Sequence, residues 1–267
     1  MNSKPSGKIQ TTSSYPGKKI LRKMGYLSDQ KGIINRYLRE QEGWTTHVEN
    51  TRQFIIEAVK DAKPESIIVF GSGWLIDFPL EEVYSLCPII ELHDIQHPPQ
   101  VMRKIRDLNG VTAVLSDITG GMIQSVWDFV SDRKREKGIN NLQGIEYQKP
   151  VRKENLFCVS LNILNQLDIL LIDFLKKYFN LNEQVCNDFR KFVQSSHLEM
   201  IGKNSCLITD VEEIRKSFNT HEEIRKNLIY IDLPEGKKTG EWLWDFDSAG
   251  LYHEKSSTKM RVKAISF

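Results

Sequence analysis

After residue 64 the chain alternates short apolar runs with amphipathic segments, a pattern typical of strands and helices in turn. The apolar runs predict seven strands, at residues 66–70, 88–93, 111–116, 156–161, 205–210, 227–232 and 260–267. Apolar residues at helical spacing predict helices at 80–86, 101–108, 122–132, 167–179 and 187–201. We therefore expect an α/β, Rossmann-like fold with a seven-stranded, mostly parallel sheet and helices on both faces. The last two strands have no long helix between them, which favours a C-terminal antiparallel hairpin.

The chain before residue 64 divides into two parts. Residues 1–27 predict a flexible basic tail, which is either a solvated extension or a contact for a polyanion. Its charged residues are all basic: Lys4, Lys8, Lys18, Lys19, Arg22 and Lys23. Residues 28–63 predict an N-terminal helical cap of two helices separated by Gly43, and residues 64–267 then form the Rossmann-like domain. Within that domain, residues 133–154 are polar and predict a loop or a weak helix.

Composition and charge narrow the class of protein. Hydrophobic residues make up 40% and charged residues 27%, as in globular proteins, and the net charge of +2 argues against nucleic acid as a partner. No apolar stretch approaches the roughly 18–20 residues that span a membrane.

The four cysteines are far apart, which predicts buried thiols without disulfides in a cytoplasmic protein. His93 and His97 are poorly spaced for a metal pair, so we expect no metal site. The oligomeric state stays open.

Three predicted strands end in residues suited to a nucleoside. The first is followed by Gly71-Ser72-Gly73, the second by Asp94 and the third by Asp117. The intervals from Gly71 to Asp94 and from Asp94 to Asp117 are both 23 residues. Ligands of open α/β sheets bind beyond the carboxyl ends of the strands, where an acid can accept hydrogen bonds from ribose hydroxyls. A dinucleotide fingerprint needs a third glycine where this chain has Ile76, and the Gly-Lys-Ser/Thr of a P-loop is missing. The sequence thus predicts a site for a nucleoside without a pyrophosphate.

At this point the chain resembles the class I S-adenosylmethionine-dependent methyltransferases, in particular an uncharacterised bacterial branch of that superfamily. The resembling segments are VFGSGWLIDFPL, ELHDIQHP, VLSDITGG, VSLNILNQLD and the C-terminal EWLWDF and RVKAISF. The family usually has an acid and a further glycine in the cofactor loop where this chain has Val69 and Leu75.

The resemblance implies that the cofactor is S-adenosylmethionine and assigns residues to its parts. The glycine turn faces the methionine part, Asp94 binds the ribose, Asp117 lies at the adenine, and the segment after the fourth strand lies near the methyl group. The implied cofactor-binding residues are Gly71, Ser72, Gly73, Asp94, Ile95, Asp117, Ile118, Ser160 and Asn162.

Each of these residues also has a purely structural interpretation. The two glycines could serve only a tight strand-to-helix turn. Asp94 and Asp117 could cap the helices that follow them. The amides of Asn162 and Gln166 could bind an acceptor or the cofactor, or satisfy backbone groups at the strand end.

The predicted cap offers candidates for the acceptor side of the site. Trp44 and His47 are three residues apart and share a helix face. In the functional interpretation Trp44 lies against the substrate and the cationic sulfonium, His47 takes a proton from the acceptor, and Asn162 completes the catalytic pair, with Gln166 binding substrate. In the structural interpretation Trp44 anchors the helix to the core.

We therefore expect a methyltransferase that acts on a small molecule. One alternative is a non-catalytic Rossmann-like protein that binds a nucleoside. A nicotinamide-dependent oxidoreductase is disfavoured because Ile76 stands where a dinucleotide fingerprint has glycine. Methylation of bases in nucleic acid is disfavoured because no Asn/Asp-Pro-Pro-Tyr/Phe motif follows the fourth strand.

Overall fold

The computed structural model describes residues 9–133, 139, 141–148 and 156–267. The strands are β1 (Ile9–Thr11), β2 (Ser66–Phe70), β3 (Ile90–Asp94), β4 (Val111–Leu115), β5 (Leu156–Leu161), β6 (Ser205–Ser217), β7 (Glu223–Asn227), β8 (Lys238–Asp247) and β9 (Ser256–Ser266). The helices are α1 (Lys18–Met24), α2 (Tyr26–Arg39), α3 (Gln41–Ala62), α4 (Leu80–Leu86), α5 (Pro99–Ile105), α6 (Met122–Arg133), α7 (Ile169–Lys176) and α8 (Glu183–Ile201).

The strands form one mixed sheet in the order β1-β4-β3-β2-β5-β6-β9-β8, with β7 paired to β6. The pairs from β1 to β6 along this order are parallel, and those that involve β7, β8 and β9 are antiparallel. The parallel order β4-β3-β2-β5-β6 is that of a Rossmann-like sheet, whose strand order reverses between β2 and β5. The α/β prediction is confirmed, and the reversal of order fixes the crevice in which a ligand is expected.

The strand count and the antiparallel end differ from prediction. The described residues form nine strands rather than seven, because β1, β7 and β8 join the sheet. The predicted strand at 227–232 is wrong: β7 ends at Asn227, and the apolar residues that follow leave the sheet so that Ile229 packs into an apolar cluster. The hairpin partner of β9 is instead β8, the segment that contains Trp242 and Trp244.

Helices cover both faces of the sheet because the strands send alternate side chains to opposite sides. In β2, Ile67 and Val69 face a core built with α3, α4 and α5. Phe70 faces a second core that includes residues of α8. A third cluster joins α1, α6, α7 and α8. The sheet is thus buried on both sides, and its carboxyl edge is the place left for a polar site.

The N-terminal segment is ordered further than the sequence predicts. The prediction of a flexible tail to residue 27 is wrong for residues 9–27: β1 pairs with β4, and α1 packs Leu21 and Met24 into the helical cluster with exposures of 0% and 2%. Residues 1–8 of that prediction lie outside the described residues. Burial of two apolar residues on one face of a short helix outweighs the polar composition around them.

The cap consists of α2 and α3, which meet at Glu40. The predicted break at Gly43 is wrong, since Gly43 lies in the first turn of α3. A Cβ atom there would lie 2.8 Å from the carbonyl oxygen of Asp245, so glycine permits close packing against β8. In α2, Gln30 is the sole buried residue, and the partly buried Tyr26, Leu27, Ile33 and Tyr37 pack the helix against two apolar clusters.

Candidate functional site

The carboxyl ends of β2 and β3 contact each other directly. The backbone N–H of Gly73 donates to Oδ2 of Asp94 at 2.8 Å, and the N–H of Gly71 donates to the carbonyl of His93 at 3.0 Å. The structure therefore brings together the predicted glycine turn and the predicted ribose acid. Ser72 is also in this turn, but it is buried and its hydroxyl faces the His93 carbonyl at 3.4 Å.

The two glycines have different tasks. A Cβ on Gly71 would lie 2.2 Å from Cγ2 of Ile163 and 2.7 Å from the carbonyl oxygen of Leu161, so this glycine allows the end of β2 to approach the end of β5. A Cβ on Gly73 would meet nothing closer than Oδ2 of Asp94, at 3.7 Å. Both have positive φ angles. Gly73, and not Gly71, leaves room for a ligand to approach the backbone.

Asp94 is held by the N-terminal cap as well as by its own turn. Its Oδ1 accepts a hydrogen bond from Nε2 of Gln30 at 3.0 Å, and the same Nε2 donates to the carbonyl of Gln96 at 2.7 Å. Trp74 donates from Nε1 to the carbonyl of Gln30 at 2.9 Å, which fixes α2 above the strand ends. Burial raises the pKa of Asp94, with the Gly73 N–H among the contacts that oppose the shift.

The neighbouring Ile95 is also covered by the N-terminal segment. The hydroxyl of Tyr15 donates to the carbonyl oxygen of Ile95 at 2.9 Å. The Ile95 side chain is half-buried and packs beside the helical cluster of α1, α6 and α7. Residues that precede β2 in the sequence therefore cover the carboxyl end of β3, where the sequence predicts a nucleoside.

Asp117, the third predicted strand-end residue, turns inward. Its Oδ1 accepts hydrogen bonds from the N–H and the hydroxyl of Thr119, and its Oδ2 accepts from the N–H of Ile123 at 3.1 Å. Burial raises its pKa to about 6. These contacts hold the loop before α6, as in the capping interpretation. Ile118 beside it is buried in the apolar cluster with Phe70.

Ser160 lies below the edge of the sheet. It is fully buried in β5, and its hydroxyl is 2.8 Å from Nε2 of His197 on α8. Burial lowers the pKa of His197 to about 3, so this imidazole is neutral at physiological pH. The pair joins β5 to α8, and it accounts for Ser160 without a ligand.

The predicted catalytic residues His47 and Asn162 meet, and an acid joins them. Nδ2 of Asn162 is 3.2 Å from Nε2 of His47 and donates to Oδ2 of Asp77 at 2.6 Å. Asp77 Oδ2 also lies 3.9 Å from His47 Nε2. Asn162 has a positive φ of 50°, a conformation that asparagine tolerates better than most residues. Sequence reasoning missed Asp77, although it closely follows the glycine turn.

Two tryptophans orient the His47 ring. Trp242 donates from Nε1 to Nδ1 of His47 at 3.2 Å, and the Trp244 ring stacks on the imidazole at 3.8 Å between centroids. An indole N–H and an amide NH2 can only donate, and an imidazole with one ring hydrogen has a single lone pair, so Trp242 and Asn162 compete for it. Both ring nitrogens of His47 therefore face donor groups of the protein itself, which leaves the ring poorly placed to take a proton from a substrate.

A second buried acid lies beside this group. Asp210 of β6 is 3% exposed, and its Oδ2 is 3.4 Å from Nδ2 of Asn165. Burial raises the pKa of Asp210 to about 7, and the charge of Asp77 adds to the shift. Among the described residues, Oδ1 of Asp210 and Oδ1 of Asn162 are buried without a hydrogen-bond partner. Asp210 was visible in the sequence as the end of a predicted strand but was not selected.

The two predicted substrate residues serve the fold. Trp44 is 4% exposed, donates from Nε1 to the carbonyl of Phe246 at 3.1 Å and packs edge-on against Trp244, as in the anchoring interpretation. Gln166 donates to the carbonyl oxygen of Asn162. Trp44 therefore packs in the core and Gln166 supports the loop that carries Asn162, while their contact with a substrate stays a prediction.

Comparison with known proteins adds little. No protein-family model matches the sequence, and no curated protein matches it significantly. Among solved structures, the chain is similar to a crystal structure of a SAM-dependent methyltransferase from Anabaena variabilis, with 9% identity and a TM-score of 0.31, over 76% of this chain and 77% of that chain. The site and the activity of this chain therefore rest on its own residues.

One surface cavity lies beside the cap and another beside α6. One, of about 630 Å³, lies between α2 and α7 and is lined by Gly25, Asp29, Gly32 and Lys177 among others. The other, of about 410 Å³, includes Tyr15 and Gly121. Neither is lined by the predicted cofactor residues, because α2 covers that edge. In the described ranges we find no cluster of three His, Cys, Asp or Glu side chains suited to a metal, and no helix long and apolar enough to cross a bilayer.

All four cysteines are buried, and among the described residues they form no disulfide. The predicted burial of the thiols is confirmed. Cys206 lies at the start of β6, where burial raises the pKa of its thiol. A buried thiol with a raised pKa is a poor nucleophile, so Cys206 belongs to the core and not to the site.

Proposed function

We propose that this protein is an S-adenosylmethionine-dependent methyltransferase that acts on a small molecule. The observation that carries the proposal is the contact between Gly73 and Asp94 at the ends of β2 and β3, beside the reversal of strand order. A carboxylate held there by a backbone N–H has a fixed position from which its second oxygen can accept hydrogen bonds from ribose hydroxyls.

The residues present fit such a cofactor. A Cβ on Gly73 would make only ordinary contacts, the nearest with Oδ2 of Asp94 at 3.7 Å, and Oδ1 of Asp94 accepts from Gln30 of the cap and from the N–H of Gln96. Asn162 offers a buried oxygen that has no partner among the described residues. Gly73 and Asp94 would hold the nucleoside and amino acid parts, with α2 above them.

When bound, the cofactor supplies an electrophilic methyl group on a positively charged sulfur. The work of the chain is then to align the acceptor and to exclude water, and alignment alone can contribute several kcal/mol to lowering a barrier. The helix α2 covers the strand ends and so excludes water. Asp77 in the loop after β2 contacts Asn162 at the end of β5 over 2.6 Å, and an acceptor can be held beside this pair.

The roles of His47 and Asp77 change from those predicted by sequence alone. Since Trp242 and Asn162 both direct donors at the ring nitrogens of His47, we assign His47 as a positioning residue beside Asp77. The half-buried carboxylate of Asp77 is then the group that accepts a proton from an acceptor.

A second candidate is a non-catalytic protein that binds a nucleoside. It is favoured by Asp117, whose two carboxylate oxygens bind its own loop, and by Gln30, which occupies Oδ1 of Asp94. A nicotinamide-dependent oxidoreductase is less favoured, because Ile76 stands where the dinucleotide fingerprint requires glycine.

Isothermal titration calorimetry with S-adenosylhomocysteine tests the proposal. We expect the wild type to bind and Asp94→Ala to bind about tenfold more weakly, because the variant lacks the partner of the ribose hydroxyls. Asp107→Ala, which removes an exposed carboxylate just beyond α5, is the matched control and should bind like the wild type.

Lack of binding by the wild type at millimolar ligand would overturn the proposal. So would equal affinities of Asp94→Ala and the wild type, or tight binding of NADH in place of S-adenosylhomocysteine. Binding of the homocysteine product without methyl transfer to any of a broad set of acceptors would favour the non-catalytic candidate.

A further inference from the structure

The basic residues of the N-terminal segment lie on a folded helix. In α1, Leu21 and Met24 are buried, and four exposed cations occupy the opposite side of the helix: Lys18, Lys19, Arg22 and Lys23. Residues three or four positions apart share one face of a helix. The seven residues of α1 therefore present an apolar side to the core and a basic side to solvent, with no acid among them.

The end of α7 brings two further cations to the same surface. Lys176 and Lys177 are exposed, and they line the cavity of about 630 Å³ together with Met24 and Gly25 at the end of α1. A Cβ on Gly25 would lie 3.6 Å from Cδ2 of Leu170 on α7, so the two segments are in contact. We call the six exposed cations of α1 and α7 the basic face.

A row of aromatic rings runs beside the basic face. Nζ of Lys23 lies 5.7 Å from the centroid of the Trp127 ring. Trp127 stacks on Phe174 at 5.6 Å, and Phe174 meets Tyr178 edge-on at 5.3 Å between centroids. Tyr178 is 46% exposed and directly follows Lys177. An open aromatic ring beside several cations can stack on a base while the cations neutralise phosphates.

The six cations have no acidic partner in the part of the chain that the structure describes. None of them forms an ion pair there, although Asp29 and Asp173 line the same cavity. By comparison, the exposed Lys259 of β9 is paired with Asp245 of β8 at 2.6 Å. Like charges four residues apart destabilise a helix, and α1 has two such pairs. An anionic partner would relieve this repulsion, which no described acid does.

The net charge of the chain hides this surface. The chain as a whole carries only +2, so the rest of the molecule is acidic once the six cations are set aside. The sequence argument against nucleic acid used that net charge. A bound polyanion responds to the local concentration of cations on a folded surface, and this concentration is visible only in the structure.

We infer that the basic face binds the phosphate backbone of single-stranded nucleic acid, with Tyr178 stacking on a base. The inference does not rest on the proposed function, because it uses none of the residues assigned to the cofactor. Separate phosphates along a strand suit cations that are spread over two helices. A single strand also exposes the faces of its bases, which a duplex does not offer to Tyr178.

Two other polyanions fit less well. An amphipathic helix docks on an anionic membrane through exposed apolar side chains beside its cations, but Leu21 and Met24 of α1 are 0% and 2% exposed. An acidic protein would need an interface whose centre is depleted of charge, whereas all six residues of the basic face are charged and exposed. A phosphate backbone needs neither feature.

The test is a titration of the full-length protein into a short fluorescent oligothymidylate, followed by anisotropy at several NaCl concentrations. We expect a Kd of about 1–100 μM near physiological salt. If about five phosphates are neutralised, the logarithm of the binding constant should fall against the logarithm of salt concentration with a slope of about −3.5.

Matched variants separate the basic face from the charge of the whole chain. Lys176→Gln/Lys177→Gln should weaken binding about tenfold and make the slope shallower by about 1. Lys60→Gln/Lys263→Gln removes two exposed cations of α3 and β9 and should bind like the wild type. Tyr178→Leu should weaken binding about tenfold and leave the slope unchanged, because it removes stacking and no charge.

Several results would overturn the inference. They are a lack of binding at low salt, a salt slope shallower than about −1, and equal losses of affinity in the two double variants. Competition by polyglutamate as strong as by unlabelled oligothymidylate would assign the basic face to an acidic protein instead. Tighter binding to phosphatidylserine vesicles would assign it to a membrane. The salt series and both competitions use the wild type, so they decide the matter even if a variant fails to fold.

Discussion

Gln30 on α2 donates a hydrogen bond from Nε2 to Oδ1 of Asp94 at the end of β3, over 3.0 Å. This bond ties the helical cap to the carboxylate that we propose for ribose binding. Because Gln30 is the buried residue of α2, the attachment of the helix at this point is polar and can exchange for a ligand's hydroxyl group at little cost.

The first prediction follows from this competition. A ligand that binds to Oδ1 of Asp94 in the wild type must first displace the Gln30 side chain, and one hydrogen bond contributes about 1 kcal/mol net. The Gln30→Ala variant does not have this bond to break. We expect S-adenosylhomocysteine to bind up to about fivefold more tightly, as measured by calorimetry. Gln53→Ala, which changes an exposed glutamine of α3, is the control. Weaker binding in Gln30→Ala would instead make Gln30 a cofactor contact.

The second prediction concerns Gly71. An alanine there would place its Cβ 2.2 Å from Cγ2 of Ile163 and 2.7 Å from the carbonyl of Leu161, at a φ of 81°. We expect Gly71→Ala to lower the free energy of unfolding by about 2–4 kcal/mol, through overpacking and a strained backbone. Urea denaturation measures it.

Gly17→Ala is the control for that experiment, because a Cβ at Gly17 meets nothing within 4 Å and its φ of −64° suits any residue. Its free energy of unfolding should change by less than about 0.5 kcal/mol. If the two variants were equally stable, the close approach of β2 and β5 at this point would be wrong.

The third prediction is a pH dependence set by Asp210. Its pKa is raised from 3.8 to about 7 in the folded protein, so the folded state keeps a proton that the unfolded state releases. The free energy of unfolding that this proton contributes is fully present below the pKa of the unfolded state. It is lost as the pH rises through the pKa of the folded state. Asp117, with a pKa of about 6, acts in the same direction, whereas His197, with a pKa lowered to about 3, acts in the opposite one.

Asp210→Asn isolates the contribution of this residue. Between about pH 5 and about pH 8, the wild type should lose about 2 kcal/mol more stability than the variant does. Chemical denaturation at the two pH values gives this difference. Asp188→Asn, which changes an exposed carboxylate on α8, should follow the wild type at both. A wild type and an Asp210→Asn variant with parallel pH profiles would show that Asp210 titrates normally.

The parallel half of the fold was predictable because its signals are local. Strands buried on both faces are continuous apolar runs, and β2 and β5 were predicted with the bounds that the structure has. The N-terminal helix α1 was missed because Leu21 and Met24 are two apolar positions within a basic, polar stretch. Their burial depends on α6 and α7, which are far away in the sequence.

The candidate site was predictable only in part, for the same reason. Gly73 and Asp94 occupy strand ends, so sheet topology alone placed them together. The contact of Asp77 with Asn162 joins residues 85 positions apart and depends on how a loop bends after the glycine turn. The carboxylate of Asp117 accepts hydrogen bonds from its own loop. No periodicity in the sequence shows whether a carboxylate at a strand end points into the protein or toward a ligand.

The position of β9 in the sheet also has a consequence for biosynthesis. It is the last of these strands to leave the ribosome, yet it lies between β6 and β8. Until it emerges, β8 lacks its neighbour in the sheet and one side of β6 is open along its length, and such unpaired edges invite association with other chains. A nascent chain that stalls before Ser256 would therefore expose two strands at once, and the sheet can close only when translation has passed that point.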